Sequence, residues 1–434
     1  MSIALQVALV MVTILVVLLV IGAPIGVAIG MSSAVSMICM IPADVSFATS
    51  AQRIFAGSNS FSLIAIPFFI LAGNIMNNGG IATRLVNCAK VISGRMPGAL
   101  AQSNVVANML FGAISGSGAA AAAAMGGTIG PLEEKEGYDK NYSTAVNVAS
   151  APVGMLIPPS NTMIVYSSVA GSVSIAALFM AGYIPGLLWG GAVMILAGIM
   201  AKKRGYQAEQ RVPVKVALKT FWQAIPSLLL IVIVIGGILA GVFTATEGSA
   251  IAVVYATVLS LIYKSFKLKD IPRIVLESAK TTGIITFMIG LSSIMSWAMA
   301  FTEIPDMIAT AILGLTDNKI LILLLINVLL LVVGTFMDVT PAILIFTPIL
   351  LPICTAFGMS PIQFGILLCF NLSIGTITPP VGTILFTACR VGGTTIESVI
   401  KTLLPYFAVI LIALLLVTYI PAISMFLPKI LGLV

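Results

Sequence analysis

The chain has 434 residues, of which 59% are hydrophobic and only 8% are charged, a balance that excludes a soluble protein of this size and indicates a polytopic membrane protein. Histidine is absent, which excludes imidazole catalysis and histidine metal sites, and the five cysteines show no Cys-x-x-Cys spacing that would indicate a disulfide or metal framework. The net charge of +7 does not indicate a nucleic-acid partner, because the basic residues cluster in short segments between apolar runs, as orientation signals in a lipid bilayer do.

The N-terminal part of the chain is predicted to hold three membrane spans followed by a helical hairpin. Three apolar runs approach the roughly 20 residues that a spanning helix needs: 3–21, 25–41 and 61–76. The first is interpreted as a retained helix, because it has neither a basic leader nor a small-residue cleavage site. Residues 97–131 are centred on Gly112-Ala-Ile-Ser-Gly-Ser-Gly118, which makes a poor straight helix. We therefore expect a re-entrant hairpin with its tip at Ser115–Gly118; a single crossing packed through small residues is the alternative.

Two later apolar runs are each interrupted near the middle by a pair of prolines. Gly154-Met-Leu-Ile-Pro-Pro-Ser-Asn-Thr162 lies within the run 143–170, and Gly375-Thr-Ile-Thr-Pro-Pro-Val-Gly-Thr383 lies within the run 362–390. Each proline removes a backbone donor and clashes with the preceding turn, and the residue before a proline is pushed out of the α region. Both runs are therefore predicted to be broken helices, whose freed carbonyls face a cavity or a ligand.

The remaining apolar runs complete the predicted spans. Single spans are expected at 174–200, 221–242, 247–263, 281–301 and 402–425. The stretch 320–352 is broken at Gly334–Pro341 and is expected to form a second hairpin. Three basic segments are interpreted as loops, at 84–95, 202–219 and 264–280, and the weakly amphipathic piece 47–60 as an interfacial segment or a loop.

The two halves of the chain match each other. Several residues of the first broken helix recur 221 positions later, namely Gly154, Pro158, Pro159, Thr162 and Gly171 as Gly375, Pro379, Pro380, Thr383 and Gly392, and Gly112 falls opposite Gly334 with a shift of one. If the basic segments face the cytoplasm, the N-terminus is periplasmic, and the two hairpins enter the membrane from opposite sides. Inverted repeats with broken helices that meet at the midplane predict an alternating-access secondary transporter.

The helix breaks are also the predicted ion sites. No Gly-x-x-x-x-Gly-Lys-[Ser/Thr] motif occurs, so no nucleotide is expected, and the energy must come from an ion gradient or a partner subunit. Freed backbone carbonyls with serine and threonine hydroxyls form oxygen cages that suit Na⁺. At least two cages are expected by symmetry, the first from Gly112, Ser115, Gly154, Ile157 and Pro159 and the second from Gly334, Gly375, Thr378 and Val381.

The predicted substrate-binding residues surround the same breaks: Ser115, Ser117, Ser160, Asn161 and Asp338. Ser160 and Asn161 begin a half-helix, whose N-terminus carries free N–H groups and partial positive charge that suit an anion. Asp338 is a carboxylate within an apolar stretch, and its candidate roles are to hold a cation, bind a substrate hydroxyl, carry a proton or cap the next half-helix. Glu247, at a predicted outer loop, is expected to be solvated or to cap a helix.

Four motifs of the chain resemble those of one family, the large membrane subunits (DctM-like permeases) of tripartite ATP-independent periplasmic (TRAP) transporters. They are Ser62-Leu-Ile-Ala-Ile-Pro-Phe-Phe-Ile-Leu-Ala-Gly73, Ser115-Gly-Ser-Gly118, Pro158-Pro-Ser-Asn161 and Gly375-Thr-Ile-Thr-Pro-Pro380. The resemblance covers essentially the whole chain and is specific only when the four motifs are taken together. The sialic-acid branch of the family is one candidate.

The resemblance implies an elevator fold, in which a transport domain slides against a static scaffold. The expected scaffold is 1–96, 174–305 and a terminal helix at 395–434, and the expected transport repeats are 97–173 and 306–394. The resemblance also implies a transporter rather than an enzyme, which imports a small organic acid (sialic acid, another sugar acid or a dicarboxylate) with Na⁺ through the bacterial inner membrane. Its partners would be a periplasmic substrate-binding protein and a small four-helix membrane subunit on a separate chain.

Two other functions are weighed against this one. A stand-alone Na⁺/dicarboxylate symporter shares the inverted hairpins and needs no binding protein, but its hairpin tips usually read Ser-Asn-Thr in both halves, whereas here Ser160-Asn-Thr162 occurs once and in the broken helix. A respiratory proton-channel subunit would require several ionisable residues inside the membrane, and Asp338 is nearly alone there. A gene for a secreted binding protein next to this one would favour the tripartite system.

Overall fold

The computed structural model describes residues 3–171, 173–206, 213–265, 268–305, 307, 310 and 318–434, and their regular secondary structure is helical throughout. Eight of the described helices are long and apolar enough to cross a membrane, by length and composition. The prediction of an all-α polytopic membrane protein is therefore confirmed. The helices outside the repeats are Ile3–Val20, Ile25–Met37, Ala43–Ser58, Ala65–Asn78, Ile81–Ser93, Ile175–Lys203, Val214–Leu239, Ala245–Ile262, Ile271–Phe301, Ile396–Tyr419 and Pro421–Ile430, with 3₁₀ turns at Phe61–Ile64 and Leu268–Asp270.

Each half of the chain contributes one hairpin and one broken helix. Hairpin 1 is Ala99–Ser115 and Gly118–Lys135, and hairpin 2 is Lys319–Phe336 and Val339–Ala356. Broken helix 1 is Lys140–Ser150, a 3₁₀ turn at Ala151–Met155 and Asn161–Ala170; broken helix 2 is Pro361–Gly375 and Thr383–Gly392. The breaks fall where glycine, proline and serine interrupt the apolar runs, as predicted.

The broken helices form the centre of the molecule. Residues 362–375 of broken helix 2 are all buried, whereas in the first helix, Ile3–Val20, only Val7 and Met11 are buried. A helix that is apolar on all sides but exposed is suited to contact lipid or another membrane subunit. The first helix therefore lies at the periphery of the fold.

All three basic segments belong partly to helices, which corrects the prediction of loops. In the segment 202–219, Lys202 and Lys203 end helix Ile175–Lys203, and residues from 214 onwards belong to helix Val214–Leu239. Arg84 and Lys90 lie in helix Ile81–Ser93, because this segment buries an apolar stripe that includes Leu85 and leaves its basic residues on the other face. The Arg84 guanidinium also stacks over the Tyr263 ring, 3.3 Å from its centroid. Much of the segment 264–280 likewise belongs to the long helix Ile271–Phe301.

Two further helix boundaries differ from the sequence-based interpretation, and one capping interaction agrees with it. The amphipathic piece near 47–60 is helix Ala43–Ser58. The segment 395–434 contains two helices rather than one, because Ile396–Tyr419 ends before Pro421, which starts a second helix at a position where proline is tolerated. Glu247 forms a capping box with Thr244, whose backbone N–H donates to Glu247 Oε2 at 2.7 Å. The capping interpretation of Glu247 is therefore confirmed.

Two helices assigned by prediction to the scaffold are hydrogen-bonded to the broken helices. Helix Ile175–Lys203 provides the buried Trp189, whose Nε1 donates to Ala149 O at 2.8 Å, and it accepts a 2.8 Å hydrogen bond from Tyr142 Oη at Ala197 O. Helix Ile396–Tyr419 accepts a 3.2 Å hydrogen bond from Gln363 Nε2 at Thr418 O. These two helices therefore pack as parts of the repeat units.

Candidate functional site at the helix breaks

In each repeat, the hairpin and the broken helix meet through a pair of glycines. A Cβ atom added to Gly154 would collide with the backbone of Gly112, and one added to Gly375 would collide with the backbone of Gly334. Only a residue without a side chain permits such close approach of two backbones. Gly375 follows Gly154 by 221 positions and Gly334 follows Gly112 by 222. The two repeats therefore make the same glycine contact.

Buried amides join each hairpin to its broken helix a few turns away from the glycines. In repeat 1, Asn108 Nδ2 donates to Asn147 Oδ1 at 3.0 Å and to Ser150 Oγ at 2.8 Å. In repeat 2, Asn371 Nδ2 donates to Asn327 O at 3.0 Å and to its Oδ1 at 2.9 Å. Polar side chains inside a membrane protein stabilise helix–helix contacts when they find such partners. These amides were missed at the sequence level, because a single asparagine in an apolar run does not reveal its partner.

A cavity of about 320 Å³ lies where the two hairpin tips and the two broken helices converge. The first residue of four half-helices lines it: Gly118, Asn161, Val339 and Thr383. The first N–H groups of a helix lack partners within that helix, and together they carry partial positive charge. Some of these N–H groups are already bonded, those of Ile384 and Leu385 to Thr376 O and those of Ala120 and Met163 to capping serines. The remaining N–H groups are suited to an anionic or polar ligand.

The structure brings four of the five predicted substrate residues to this cavity. Ser115, Ser117, Asn161 and Asp338 all line it, and no hydrogen bond from the described residues reaches the buried Asn161 Oδ1. Ser160 is the exception. Its hydroxyl is fully buried, donates to Met155 O and accepts from Met163 N, so it caps the half-helix instead of facing the cavity.

The carboxylate of Asp338 belongs to the cavity more than to the helix that follows it. Asp338 occupies the N-cap position of Val339–Ala356, but its side chain makes no capping hydrogen bond and is exposed to the cavity. No lysine or arginine is found among the described residues that line the cavity. An acid bound here would therefore take its positive counterpart from helix N-termini or from cations, not from a basic side chain.

The predicted ion ligands fall into two groups. The carbonyls of Gly112 and Gly375 already accept local N–H groups, at 2.8 and 3.0 Å. In contrast, no backbone N–H of the described residues donates to the carbonyl oxygens of Ile157, Pro159 or Thr378. Carbonyls released by a helix break are the groups that coordinate Na⁺ in broken-helix transporters. The two prolyl bonds at these breaks, Pro158–Pro159 and Pro379–Pro380, are both cis.

The remaining predicted ligands surround these carbonyls. Ser115 Oγ lies 3.4 Å from both the backbone N and the O of Ser117 at the tip of hairpin 1. The N–H of Val381 donates to Thr335 O at 3.2 Å and so fastens the break of broken helix 2 to hairpin 2. Gly154 and Gly334 take part through their close backbone contacts. The two glycine contacts thus bring each hairpin against the break of its own repeat.

Two polar cavity residues come from outside the repeats and were not predicted. Asn74 belongs to helix Ala65–Asn78 and donates from Nδ2 to Ser278 Oγ at 2.8 Å, and Thr281 belongs to helix Ile271–Phe301. An asparagine within an apolar run was the available signal, because polar groups at membrane depth usually face a cavity or a partner. Thr281 gave no such signal, since it lies at the edge of a predicted span.

Two inverted units, each a hairpin packed on a broken helix, around one polar cavity define the fold of a membrane transporter. The sequence model of the tripartite ATP-independent periplasmic transporter DctM component matches residues 12–423. The chain therefore belongs to the DctM family of TRAP transporter large permeases.

Named relatives agree with this assignment, and a solved structure agrees with the fold. The chain is 51% identical to the uncharacterized protein YgiK of Salmonella typhimurium, over 92% of this chain and 91% of that one. It is 43% identical to the isethionate TRAP transporter permease DctMQ of Oleidesulfovibrio alaskensis, over 87% of this chain but only 59% of that longer protein, and 38% identical to the C4-dicarboxylate large permease DctM of Pseudomonas aeruginosa, over 92% and 93%. The YdaH transporter of Alcanivorax borkumensis has the same fold, with a TM-score of 0.64 at 15% identity over 86% of this chain and 87% of that one.

Proposed function

We propose that this chain is the large permease of a tripartite transporter that imports a small organic acid across the bacterial inner membrane, driven by Na⁺ and supplied by a periplasmic binding protein. The observation that carries the proposal is the convergence of four half-helix N-termini on one cavity. Relatives named for transport of isethionate and C4-dicarboxylates support an acidic substrate.

The acid is bound without a basic side chain. Backbone N–H groups at Gly118 and Asn161 receive its carboxylate or sulfonate, since helix N-termini stabilise anions. Ser115 and Ser117 donate to its remaining oxygens, and Asp338 accepts from a substrate hydroxyl. Because Asp338 would repel an anion placed next to it, binding requires added positive charge.

Two Na⁺ ions supply that charge. The first is held by the carbonyls of Ile157 and Pro159 with the Ser115 hydroxyl, and the second by the carbonyl of Thr378 with that of Val381. The support for these sites is that the carbonyls of Ile157, Pro159 and Thr378 lack N–H partners among the described residues. Bound Na⁺ would offset the negative charge of Asp338 and the substrate together, which couples the two solutes.

The moving part of the elevator is larger than the two repeats predicted from the sequence, 97–173 and 306–394. Helix Ile175–Lys203 is hydrogen-bonded to broken helix 1 through Trp189, and helix Ile396–Tyr419 to broken helix 2 through Gln363. Sliding the repeats without these helices would break buried hydrogen bonds. We therefore assign both helices to the transport unit and keep the helices up to Asn78 and from 214 to 301 in the scaffold; helix Ile81–Ser93 is joined to hairpin 1 by the buried Ser93–Ser103 hydrogen bond.

The remaining parts of the proposal concern partners and orientation. This chain matches 59% of the DctMQ relative, whose name joins an M and a Q component, and this supports a small membrane subunit as a partner. The basic residues at 202–204 face the cytoplasm and the N-terminus faces the periplasm. The binding protein docks on the periplasmic side and delivers the acid.

Uptake into proteoliposomes tests the proposal. The chain is purified with the small membrane protein encoded beside it and offered labelled isethionate, C4-dicarboxylate or sialic acid, with and without an inward Na⁺ gradient and the neighbouring binding protein. Uptake that requires both Na⁺ and the binding protein is the expected result. Na⁺-driven uptake without a binding protein would instead establish the stand-alone symporter, and uptake indifferent to Na⁺ would remove the ion coupling.

A further inference from the structure

A second buried carboxylate lies far along hairpin 1 from the central cavity. Glu133, in the last turn of the hairpin, is only 1% exposed, and its carboxylate oxygens make no hydrogen bond of ordinary geometry to the described residues; the Ser143 hydroxyl is the nearby donor. Burying a charge without a countercharge is strongly unfavourable. The carboxylate therefore requires a proton or a cation.

Two of the nearby basic residues are already paired with other carboxylates, and Lys135, on the same helix, has an exposed side chain. Lys140 Nζ lies 2.8 Å from Glu134 Oε1, and Arg204 Nη1 lies 3.1 Å from Asp139 Oδ1. Both pairs are partly exposed, whereas Glu133 points inward from the same end of the hairpin. The chain thus leaves Glu133 without a basic partner among the described residues, although these basic side chains lie close in sequence or space.

Glu133 lines a cavity of about 90 Å³ together with several neutral polar side chains, the Glu134–Lys140 ion pair and a number of glycine and apolar residues. A single water needs roughly 10–15 Å³ of such volume, so a small cation and several waters fit. Ser143, 8% exposed, lines the cavity too, and its Oγ makes no hydrogen bond of ordinary geometry to the described residues. Thr144 adds a second hydroxyl. These are hard oxygen ligands with one negative charge between them.

The charge of the ligand set selects a monovalent cation. Divalent sites usually combine several carboxylates, and the described residues contain no group of three or more histidine, cysteine, aspartate or glutamate side chains placed to hold a metal. One carboxylate with one or two hydroxyls neutralises a single positive charge. Na⁺ or K⁺ with bound water fits this set.

The cavity is also a junction between the two repeats. Val391 and Gly392 of broken helix 2 line it together with hairpin 1 and broken helix 1. A Cβ atom added to Gly392 would collide with the hydroxyl of Thr144, so the two broken helices touch at the cavity wall. A cation held here would stabilise the packing of one repeat on the other.

Burial raises the pKa of Glu133, which lies at the polar end of the hairpin outside the eight spanning helices, to about 8, because desolvation disfavours the charged form. The Ser143 hydroxyl, as a hydrogen-bond donor beside the carboxylate, partly offsets the rise, and the neighbouring Glu136 raises it further. The other titratable groups near this end of the hairpin are Glu134, Lys135, Tyr138, Asp139, Lys140, Tyr142, Arg204, Tyr206 and Tyr406. Below this pKa a proton competes with a cation for the carboxylate, so cation affinity should rise with pH.

We propose that Glu133 and Ser143 form a binding site for one small monovalent cation, separate from the central cavity and bridging the two repeats. The proposal rests on the buried carboxylate and its cavity, not on the transport function proposed above.

Binding of ²²Na⁺ to the purified full chain, at pH 8.5 and constant ionic strength, tests the site. Glu133→Gln keeps the shape of the side chain and removes its charge, and it should lower the number of bound Na⁺ ions by one. Glu136→Gln is the matched control, because it removes one charge from the same end of the hairpin but from an exposed side chain that does not line the cavity, and it should leave the number unchanged. Ser143→Ala should keep the site but weaken it about threefold to tenfold.

The thermal midpoint provides a second measurement on the same proteins. Replacing choline chloride by NaCl should raise the midpoint of the wild-type chain more than that of Glu133→Gln, and the difference should shrink at pH 6. The cation site would be overturned by one result: Glu133→Gln binds as many Na⁺ ions as the wild-type chain does, and K⁺ displaces none of the bound Na⁺. If Na⁺-driven uptake persists in that case, only this inference fails. If uptake is independent of Na⁺ but Glu133→Gln still binds one Na⁺ ion fewer, only the proposed function fails.

Discussion

The close contact between Gly112 and Gly154 makes a quantitative prediction about Gly154→Ala. The added Cβ would collide with the Cα atom of Gly112, which belongs to the backbone and has no rotamer through which to move away. Overpacking of this kind costs about 1–3 kcal/mol. The chain can relieve the collision only by parting hairpin 1 from broken helix 1, which moves the carbonyls of Ile157 and Pro159 away from the tip.

If that cost falls on the first Na⁺ site, its affinity drops roughly 5-fold to 150-fold, since 1.4 kcal/mol corresponds to a factor of ten. The assay is the Na⁺ concentration for half-maximal uptake in proteoliposomes at saturating substrate. We expect it to rise by that factor in Gly154→Ala, with a smaller rise in Gly334→Ala, where the added Cβ would lie 3.2 Å from Gly375 Cα.

Gly191→Ala is the matched control for the glycine substitution. Gly191 lies within helix Ile175–Lys203, and a Cβ added there meets no atom within 4 Å. Alanine is favoured over glycine in a helix by about 1 kcal/mol, so this variant should be as stable as the wild type or more so. The reasoning is refuted if Gly154→Ala and Gly191→Ala have half-saturating Na⁺ concentrations within twofold of each other while both variants are well folded.

Three further substitutions test the site and the orientation. Asp338→Asn should reduce uptake at least tenfold, whereas Glu247→Gln, which only weakens a helix cap by about 1 kcal/mol, should reduce it little; equal effects in an uptake assay would return Asp338 to a capping role. Replacing both residues of the Pro158–Pro159 pair by alanine should allow a continuous helix and abolish Na⁺-driven uptake, and wild-type uptake in that double variant would contradict the carbonyl cage. In a background with Cys39, the exposed cysteine of the described chain, changed to serine, Lys203→Cys should react with a membrane-impermeant maleimide only from the cytoplasmic side, and labelling from outside would reverse the topology.

The repeat architecture could be predicted because it depends on strong local rules. Two adjacent prolines cannot continue a helix whatever surrounds them, so the breaks near Pro158 and Pro379 were predictable from the local sequence alone. The glycines and serines at 112–118 and at Gly334 marked the hairpin tips for the same reason. Helix boundaries in basic segments were less predictable, because Arg84 and Lys90 are compatible with both a loop and the polar face of a helix, and tertiary burial of Leu85 decides between them.

The predicted substrate residues show the same difference between what local sequence indicates and what tertiary packing decides. Ser115, Ser117, Asn161 and Asp338 flank the breaks and were brought to one cavity. Ser160 flanks a break as well, but its side chain is turned toward Met155 O, and no sequence rule distinguishes it from the adjacent Asn161.

The sequence by itself determined the membrane class, the duplication and the positions of the four breaks, because hydrophobicity and the loss of helical backbone hydrogen bonds act within a few residues. Only the tertiary structure decided which helices pack on the repeats and which polar groups find partners. Trp189 reaches Ala149, Asn371 reaches Asn327, and no basic side chain of the described residues pairs with Glu133. The physical reason is that a hydrogen bond or a buried charge depends on atoms within about 3 Å, and the residues that supply them lie tens to hundreds of positions apart in the chain.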